Sequence, residues 1–442
     1  MNKSADRVMA PPGVPSAEGS HPLMGSLLVR LARRTSGGRY IPEVDGLRFV
    51  AITMVVLFHT SLRLHEAFGA PVGTSPEVQN LAGVAIRQGR FGVHLFFILS
   101  GFILALPFVK QHLGHGRRVS LRRYYLRRLT RLEPPYIVAL TGFFFLASTT
   151  DVWGPWASSS LLPRFGAGLI YSHGAFFSGN NPILPPTWSL EVEAQFYLVV
   201  PLLALAFAVR RAYTRRLLLL IVAAAAALSQ LFMVTEAGTL PATVLSYGQF
   251  FVVGFLLAEA FVLRWGSHPT QAWFWDVIGL ASWLILLWGW PLSADNGAGW
   301  VLGQLIGLPA LGSLIICSAF RGPMTRRALT NRWITTIGGM CYSIYLLHTP
   351  LLAALTKVTR SFGGPSYRTS DVVIQFVILA PVVLAISALF FALIERPCMD
   401  PAWAGRLWTR LQSFLPNRRR RLAPSSRPVR LPGEPGRVVL LD

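Results

Sequence analysis

Charge is scarce in this chain. Asp, Glu, Lys and Arg make up 14% of its 442 residues, against 52% hydrophobic residues and a mean hydropathy of +0.48. That leaves too little polar surface to wrap a soluble core, so the bilayer is the expected solvent. Acidic residues are scarcer still, 19 against 41 Lys and Arg, which gives a formal net charge of +22. Cysteine is nearly absent. Cys317, Cys341 and Cys398 stand in apolar or membrane-edge surroundings without disulfide or metal-ligand spacing, so neither a disulfide framework nor a metal centre is expected. Roughly the first 35 residues lack a continuous apolar stretch and a small-residue cleavage site, which argues against a signal peptide. No internal repeat of the kind many transporters carry is visible, and no appended soluble catalytic domain is expected, so any chemistry must use the membrane body.

What is present is a succession of apolar runs near the length of about twenty residues that crosses the hydrocarbon. Ten spans are expected, at 47–65, 90–109, 134–149, 188–209, 217–234, 246–263, 273–290, 299–320, 333–357 and 372–394. The fold class is therefore all-α, a polytopic membrane protein with about ten transmembrane helices. With the N-terminus inside, the inner segments hold about 33 of the 41 Lys and Arg, the bias that orients membrane helices. Both termini are expected in the cytoplasm of a multi-pass protein of the cell inner (plasma) membrane. Because the basic residues bracket spans instead of forming one patch, nucleic acid is not an expected partner. Residues 1–40 read as a disordered cytoplasmic tail, 41–397 as the membrane domain, and 398–442 as a basic, Pro-rich cytoplasmic tail suited to anionic lipid.

Ionisable residues inside spans are costly, about 2.5–3.5 kcal/mol on the insertion scale, and mark a functional interior by default. In IPEVDGLRFVAITMVVLFHT, Arg48 opens the first span and His59 follows eleven positions later, on the same helical face and roughly 16 Å away. Taken alone, His59 could equally be a neutral histidine bonded within the bundle, and Arg48 an interfacial anchor paired with Asp45. The second span, GRFGVHLFFILSGFILALPF, is broken by Ser100 and Gly101, small residues that let another helix or a ligand approach. His94 near its outer end reads as interfacial.

The Arg-rich loop RRVSLRRYYLRRLTRLEPPY places Arg127, Arg128 and Arg131 just before two prolines, with Arg127 and Arg131 on one face. Planar guanidiniums pair bidentately with phosphate, although ordinary positive-inside charge would look the same. In PPTWSLEVEAQFYLVVPLL, Ser189, Glu193 and Tyr197 form a polar stripe at i, i+4 and i+8, while Glu191 suits the helix N-terminus. MCYSIYLLHTPLL sets His348 near mid-membrane with Tyr345 on its face and Pro350 as a kink, and Glu395-Arg396 at the inner edge reads as a structural ion pair or part of the cofactor mouth, the first being favoured.

Taken together these segments resemble the membrane acyltransferase-3 family, over about Ile41 to Pro397. The resemblance rests on DGLR with His59 after a ten-residue gap, LFFILSG, RRLTRLEPPY, WSLEVEAQFY and YSIYLLH in order. It implies that 41–397 is a transmembrane acyltransferase domain moving an acyl group, acetyl in the first instance, from cytoplasmic acyl-coenzyme A to a hydroxyl of a carbohydrate or glycosylated acceptor. By the same resemblance His59 and Arg48 match the family's essential pair and Glu193 the first of its commonly paired glutamates. His348 lines the site, Arg127, Arg128 and Arg131 hold the donor with Ser100 and Gly101 beside it, and no metal takes part. The chain departs from the family pattern at Ala194, where a second glutamate is usual, at His94 in place of Asp, and at Glu133 in place of an aromatic. A transporter or flippase for a polar lipid or sugar is the alternative, since the same polar stripe could line a permeation path.

Overall fold

The computed structural model describes residues 31, 33, 40–69, 80–150, 158–177, 179–233, 243–265, 269–289, 302–359, 368–400, 403, 405 and 409. Most of both expected tails falls outside these residues. Every regular element among the described residues is helical, as lipid requires of a chain that must satisfy its backbone within each segment. Among the described residues, seven helices are long and apolar enough to cross a membrane. They are α1 (Pro42–Ala67), α2 (Leu81–Leu113), α5 (Thr187–Ala208), α6 (Ala212–Gln230), α7 (Val244–Trp265), α9 (Gly303–Arg321) and α12 (Thr369–Cys398). An eighth is added if α10 (Arg332–Gly339) and α11 (Cys341–Thr359), bent by 68° at their junction, count as one span.

Two of the ten expected spans fall in helices that do not meet this standard. The segment 134–149 is the second half of α3 (Leu121–Thr149), whose first turns are crowded with arginine. The segment 273–290 coincides with α8 (Phe274–Gly289), which is apolar but short. The helix α4 (Ser158–Leu169) packs back against α3 and was not anticipated.

Close packing is concentrated between α2 and α7. A Cβ at Gly101 would meet the Phe251 carbonyl, and one at Gly254 would meet the Ile98 carbonyl and the Phe102 amide, so the two backbones touch where side chains are absent. In lipid, where apolar burial gives little drive for association, this contact is what holds helices together. Aromatic rings continue the seam, with Phe196 stacked on Phe251 at a centroid distance of 3.9 Å. The N-terminal end of α1 is clasped similarly, with Gly46 against Leu329 and Gly338 against the Asp45 carbonyl. The start of α6 is tied to the last turns of α7 by a buried bidentate pair, Arg215 Nε and Nη2 to Glu259 at 2.8 and 2.9 Å. Arg216 adds a third bond to the same carboxylate.

Replacing Gly101 by Val should force α2 away from α7 and cost at least about 1–3 kcal/mol. A thermal melt of the purified protein in detergent should show a clear drop, and an unchanged melting temperature would mean that the seam is not tightly packed.

Candidate functional site

The packing of α1 against α11 brings together two histidines 289 positions apart. His348 Nε2 lies 3.2 Å from His59 Nδ1, and the rings meet edge to face at 4.9 Å. His348 is fully buried, whereas His59 keeps partial exposure. The protons follow from the neighbours. His348 Nδ1 sits 2.8 Å from the Tyr345 carbonyl and 3.2 Å from that of Ile344. A carbonyl oxygen only accepts, so Nδ1 carries the hydrogen and Nε2 of the neutral ring is an acceptor. His59 Nδ1 faces that acceptor and also the Val55 carbonyl at 2.9 Å, so it too must donate. The His59 lone pair is thereby left on Nε2. A ring that takes a proton on Nε2 while two acceptors face its Nδ1–H is well placed to act as a base.

The stripe on α5 reaches the helix that carries His348 through Ser189. Ser189 Oγ and Tyr345 Oη are 2.6 Å apart, and Tyr345 Oη also donates to the Pro186 carbonyl at 3.1 Å. This ties α5 to the turn of α11 that carries His348. Glu193 Oε1 accepts from Ser100 Oγ at 2.7 Å, and Tyr197 stands close enough to feel the same carboxylate. Glu191 has a different task. Its two oxygens accept from the His173 and Gly174 amides at 3.1 and 2.9 Å, capping the one-turn helix His173–Phe176. Burial, aided by the Arg164 guanidinium, pushes His173 down to about 4. It is therefore neutral, and its Nε2 can accept from Arg164 Nη1 at 3.2 Å.

The arginines separate by depth. Arg48 Nη1 donates to Asp45 Oδ1 at 2.9 Å, and both Asp45 and Glu193 lie close enough to act on its charge. Arg127 points to the exterior. Arg128 lies 5.9 Å from the centroids of both Tyr124 and Tyr197. Arg131 turns inward, within electrostatic reach of Arg33, Arg48 and Glu395. The Nε atoms of Arg128 and Arg131 are buried without a hydrogen-bond partner, as are those of Arg33, Arg63, Arg87 and Arg90. The inward pair is thus Arg128 and Arg131, three apart, while the face drawn through Arg127 and Arg131 has one end outside.

A cavity of about 530 Å³ opens between α3, the α4–α5 connection and α5, lined by Tyr125, Arg128, Glu133, Tyr171, Glu191, Gln195 and Tyr197 among others. A smaller void shares Arg128, Glu133, Tyr171 and Tyr197 with it and reaches Glu193. Glu133 and Ala194, two of the places where the sequence departs from the family pattern, both face this space. His94 does not join it. Its ring packs 4.6 Å from Phe250 beside a separate apolar void. Gly101 lies in the α2–α7 seam, so Ser100 supplies the polar contact of that pair.

Two contributors, Tyr171 and Tyr342, were not singled out by sequence, and a third, Glu395, was read chiefly as structural. Glu395, read above as half of an edge ion pair, is 1% exposed and accepts from the Ser343 amide and hydroxyl at 3.1 and 2.5 Å. It ends a π-helical turn, Phe391–Glu395, which alters the register of α12, so helical periodicity could not have aimed it. Tyr342 donates to the Leu132 carbonyl at 2.9 Å and lines the smaller void. Tyr171 takes a positive φ of 54°, held by stacking on Tyr136 at 4.7 Å.

Comparison with known proteins gives one family and a set of distant relatives. A family profile described as an acyltransferase domain, of the acyltransferase-3 type, matches residues 41–392. O-acetyltransferase OatA of Staphylococcus aureus (strain NCTC 8325 / PS 47) is 22% identical over 71% of this chain and 51% of its own length. The protein named "Putative peptidoglycan O-acetyltransferase YrhL" of Bacillus subtilis (strain 168) is 24% identical over 82% of this chain and 56% of its own length. The chain thus spans about half the length of these relatives. No solved structure matches.

The two glutamates of α5 should separate in a melting experiment. Glu191→Ala strands two amides, at about 1–3 kcal/mol for each donor left unsatisfied, and should lower the melting temperature clearly. Glu193→Gln keeps an oxygen for Ser100 and should melt near wild type. The opposite order would show that Glu193 is the structural carboxylate.

Proposed function

The chain belongs to the acyltransferase-3 family, and on that premise we propose that it moves an acyl group, acetyl in the first instance, from acyl-coenzyme A to a hydroxyl of a carbohydrate or glycosylated acceptor. It is a multi-pass membrane acyltransferase. In our reading all ten apolar segments cross the inner membrane, both termini lie in the cytoplasm and the donor enters from that side. The observation that carries the mechanism is the His59–His348 contact, which leaves an accepting Nε2 on a half-buried histidine.

His59 Nε2 takes the proton of the acceptor hydroxyl as the oxygen attacks the thioester carbonyl. The C–S bond breaks, an ester forms, and the leaving thiolate recovers the proton from His59. His348 steadies the imidazolium through its Nε2, and Arg48, roughly 16 Å away at the other end of the same face of α1, supplies positive charge for the far end of the donor. Glu193, fixed by Ser100, orients the acceptor at the edge of the cavity, whose aromatic faces and carboxylates suit a polyhydroxyl group. Arg131 and Arg128, with Arg127 further out on the same helix, hold donor phosphate. Their unpartnered Nε atoms support that role, and no metal is needed for it. The names of OatA and YrhL, both O-acetyltransferases, support acetyl as the group, and that of YrhL supports a cell-wall saccharide as a candidate acceptor.

His59→Ala should abolish thioester turnover by the purified protein while lowering its melting temperature only modestly, by the one buried acceptor, His348 Nε2, that it leaves without a partner. His348→Gln should lower kcat by about 10²–10⁴-fold, the range of general-base assistance, with little change in donor KM. Turnover that persists in His59→Ala would remove this residue from the mechanism.

A further inference from the structure

Arg33 precedes the matched family domain, which begins at residue 41, yet its guanidinium reaches into the inner end of the bundle. Its Nη1 lies 2.9 Å from Asp45 Oδ1, the same oxygen that takes Arg48 Nη1 at 2.9 Å. One buried carboxylate therefore serves two guanidiniums. The nearest other carboxylate, Glu395, spends Oε2 on Ser343, and its Oε1 is buried without a partner. Arg131 lies within reach of Arg33, Arg48 and Glu395. Three guanidiniums thus share two carboxylates, and adding the neighbours Arg128 and Glu193 leaves the positive excess unchanged. Arg33 Nε and Arg131 Nε are both buried without an acceptor. Two unsatisfied charged donors beside an uncompensated positive charge form a receptor for an anion, and guanidinium geometry favours phosphate.

Length points to which phosphate. Arg48 and His59 are eleven residues apart in α1, roughly 16 Å at 1.5 Å per residue. In an acyl-coenzyme A about thirteen bonds separate the thioester sulfur from the first phosphate, and at the extended-chain rate of about 3.3–3.6 Å per three bonds they span roughly 15 Å. A donor whose phosphate rests on the arginine cluster therefore places its thioester at His59. An anionic lipid shares the phosphate but not this reach.

We propose that Arg33, supplied by the segment preceding the family domain, completes with Arg131 a phosphate-binding site for the donor at the inner end of the bundle. The inference rests on the acyl-coenzyme A reading. It differs from a structural clasp on Asp45 in what it predicts for donors with and without phosphate.

The test uses the full chain in phosphatidylcholine nanodiscs, with thioester turnover measured on acetyl-coenzyme A and on S-acetylpantetheine, which has no phosphate. Arg33→Gln should raise the KM for acetyl-coenzyme A tenfold or more and move that for S-acetylpantetheine less than twofold. Arg33→Lys, which keeps the charge and the Asp45 contact, should recover part of the loss and serves if the Gln variant does not fold. Equal losses on both donors would overturn the proposal in favour of a structural clasp. A loss that appears only when phosphatidylglycerol is added would overturn it in favour of a lipid headgroup. Calorimetric binding of coenzyme A separates this inference from the reading beneath it. If wild type cleaves neither thioester but binds coenzyme A tenfold more tightly than Arg33→Gln, acyl transfer fails and the site stands. If the two bind equally, the site fails.

Discussion

Inside hydrocarbon an ionisable or polar side chain has no water to fall back on, so each one must find its partner in another helix or in its own backbone. Here those partnerships decide how the helices are arranged. His348 satisfies Nδ1 with carbonyls of its own turn and can then meet α1 only through Nε2, where His59 answers it. Glu193 reaches from α5 to Ser100 on α2, Ser189 reaches from α5 to Tyr345 on α11, and Arg215 locks α6 to Glu259 on α7. Small residues complete the arrangement, since Gly101 and Gly254 let α2 and α7 approach until backbones touch.

The same partnerships prepare the chemistry. A histidine alone in a span would have either nitrogen protonated, and a base needs its lone pair on the side facing substrate. The relay from backbone carbonyl to His348 to His59 removes that ambiguity without a carboxylate, so no buried negative charge has to be stabilised next to the base. The carboxylates stand one step back. Glu193 borders the space assigned to the acceptor, and Asp45 and Glu395 temper the arginines at the inner end. In the proposed reaction, positive charge for a phosphate and an oriented base thus lie at the two ends of one helical face of α1.

Much of this could be read from sequence because the cost of intramembrane charge makes its exceptions conspicuous. Arg48, His59, Glu193 and His348 stood out as ionisable groups in apolar runs, and the period of α5 separated Glu193 from Glu191. That His59 touches His348 was hidden by 289 intervening positions. The inward turn of Glu395 was hidden by a π-helical turn that breaks the period. Helical geometry also paired Arg127 with Arg131, whereas the way α3 packs leaves Arg127 outside and brings Arg128 in. The ten apolar segments were visible, but the arginines in the first turns of α3 and the shortness of α8 keep two of them below the standard of a self-evident span. Arg33 had no periodic signal at all, and only the fold brings it to Asp45.

The central claim is that the buried histidine pair serves group transfer and not passage of a solute. The most direct measurement reconstitutes the full chain in sealed vesicles with isotopically labelled acetyl-coenzyme A outside and a peptidoglycan-type saccharide present, and follows thioester cleavage, labelled ester and solute movement together. The account predicts that label appears as an ester on the saccharide in step with thioester loss. Saccharide crossing the membrane unmodified, with acetyl-coenzyme A intact, would contradict it.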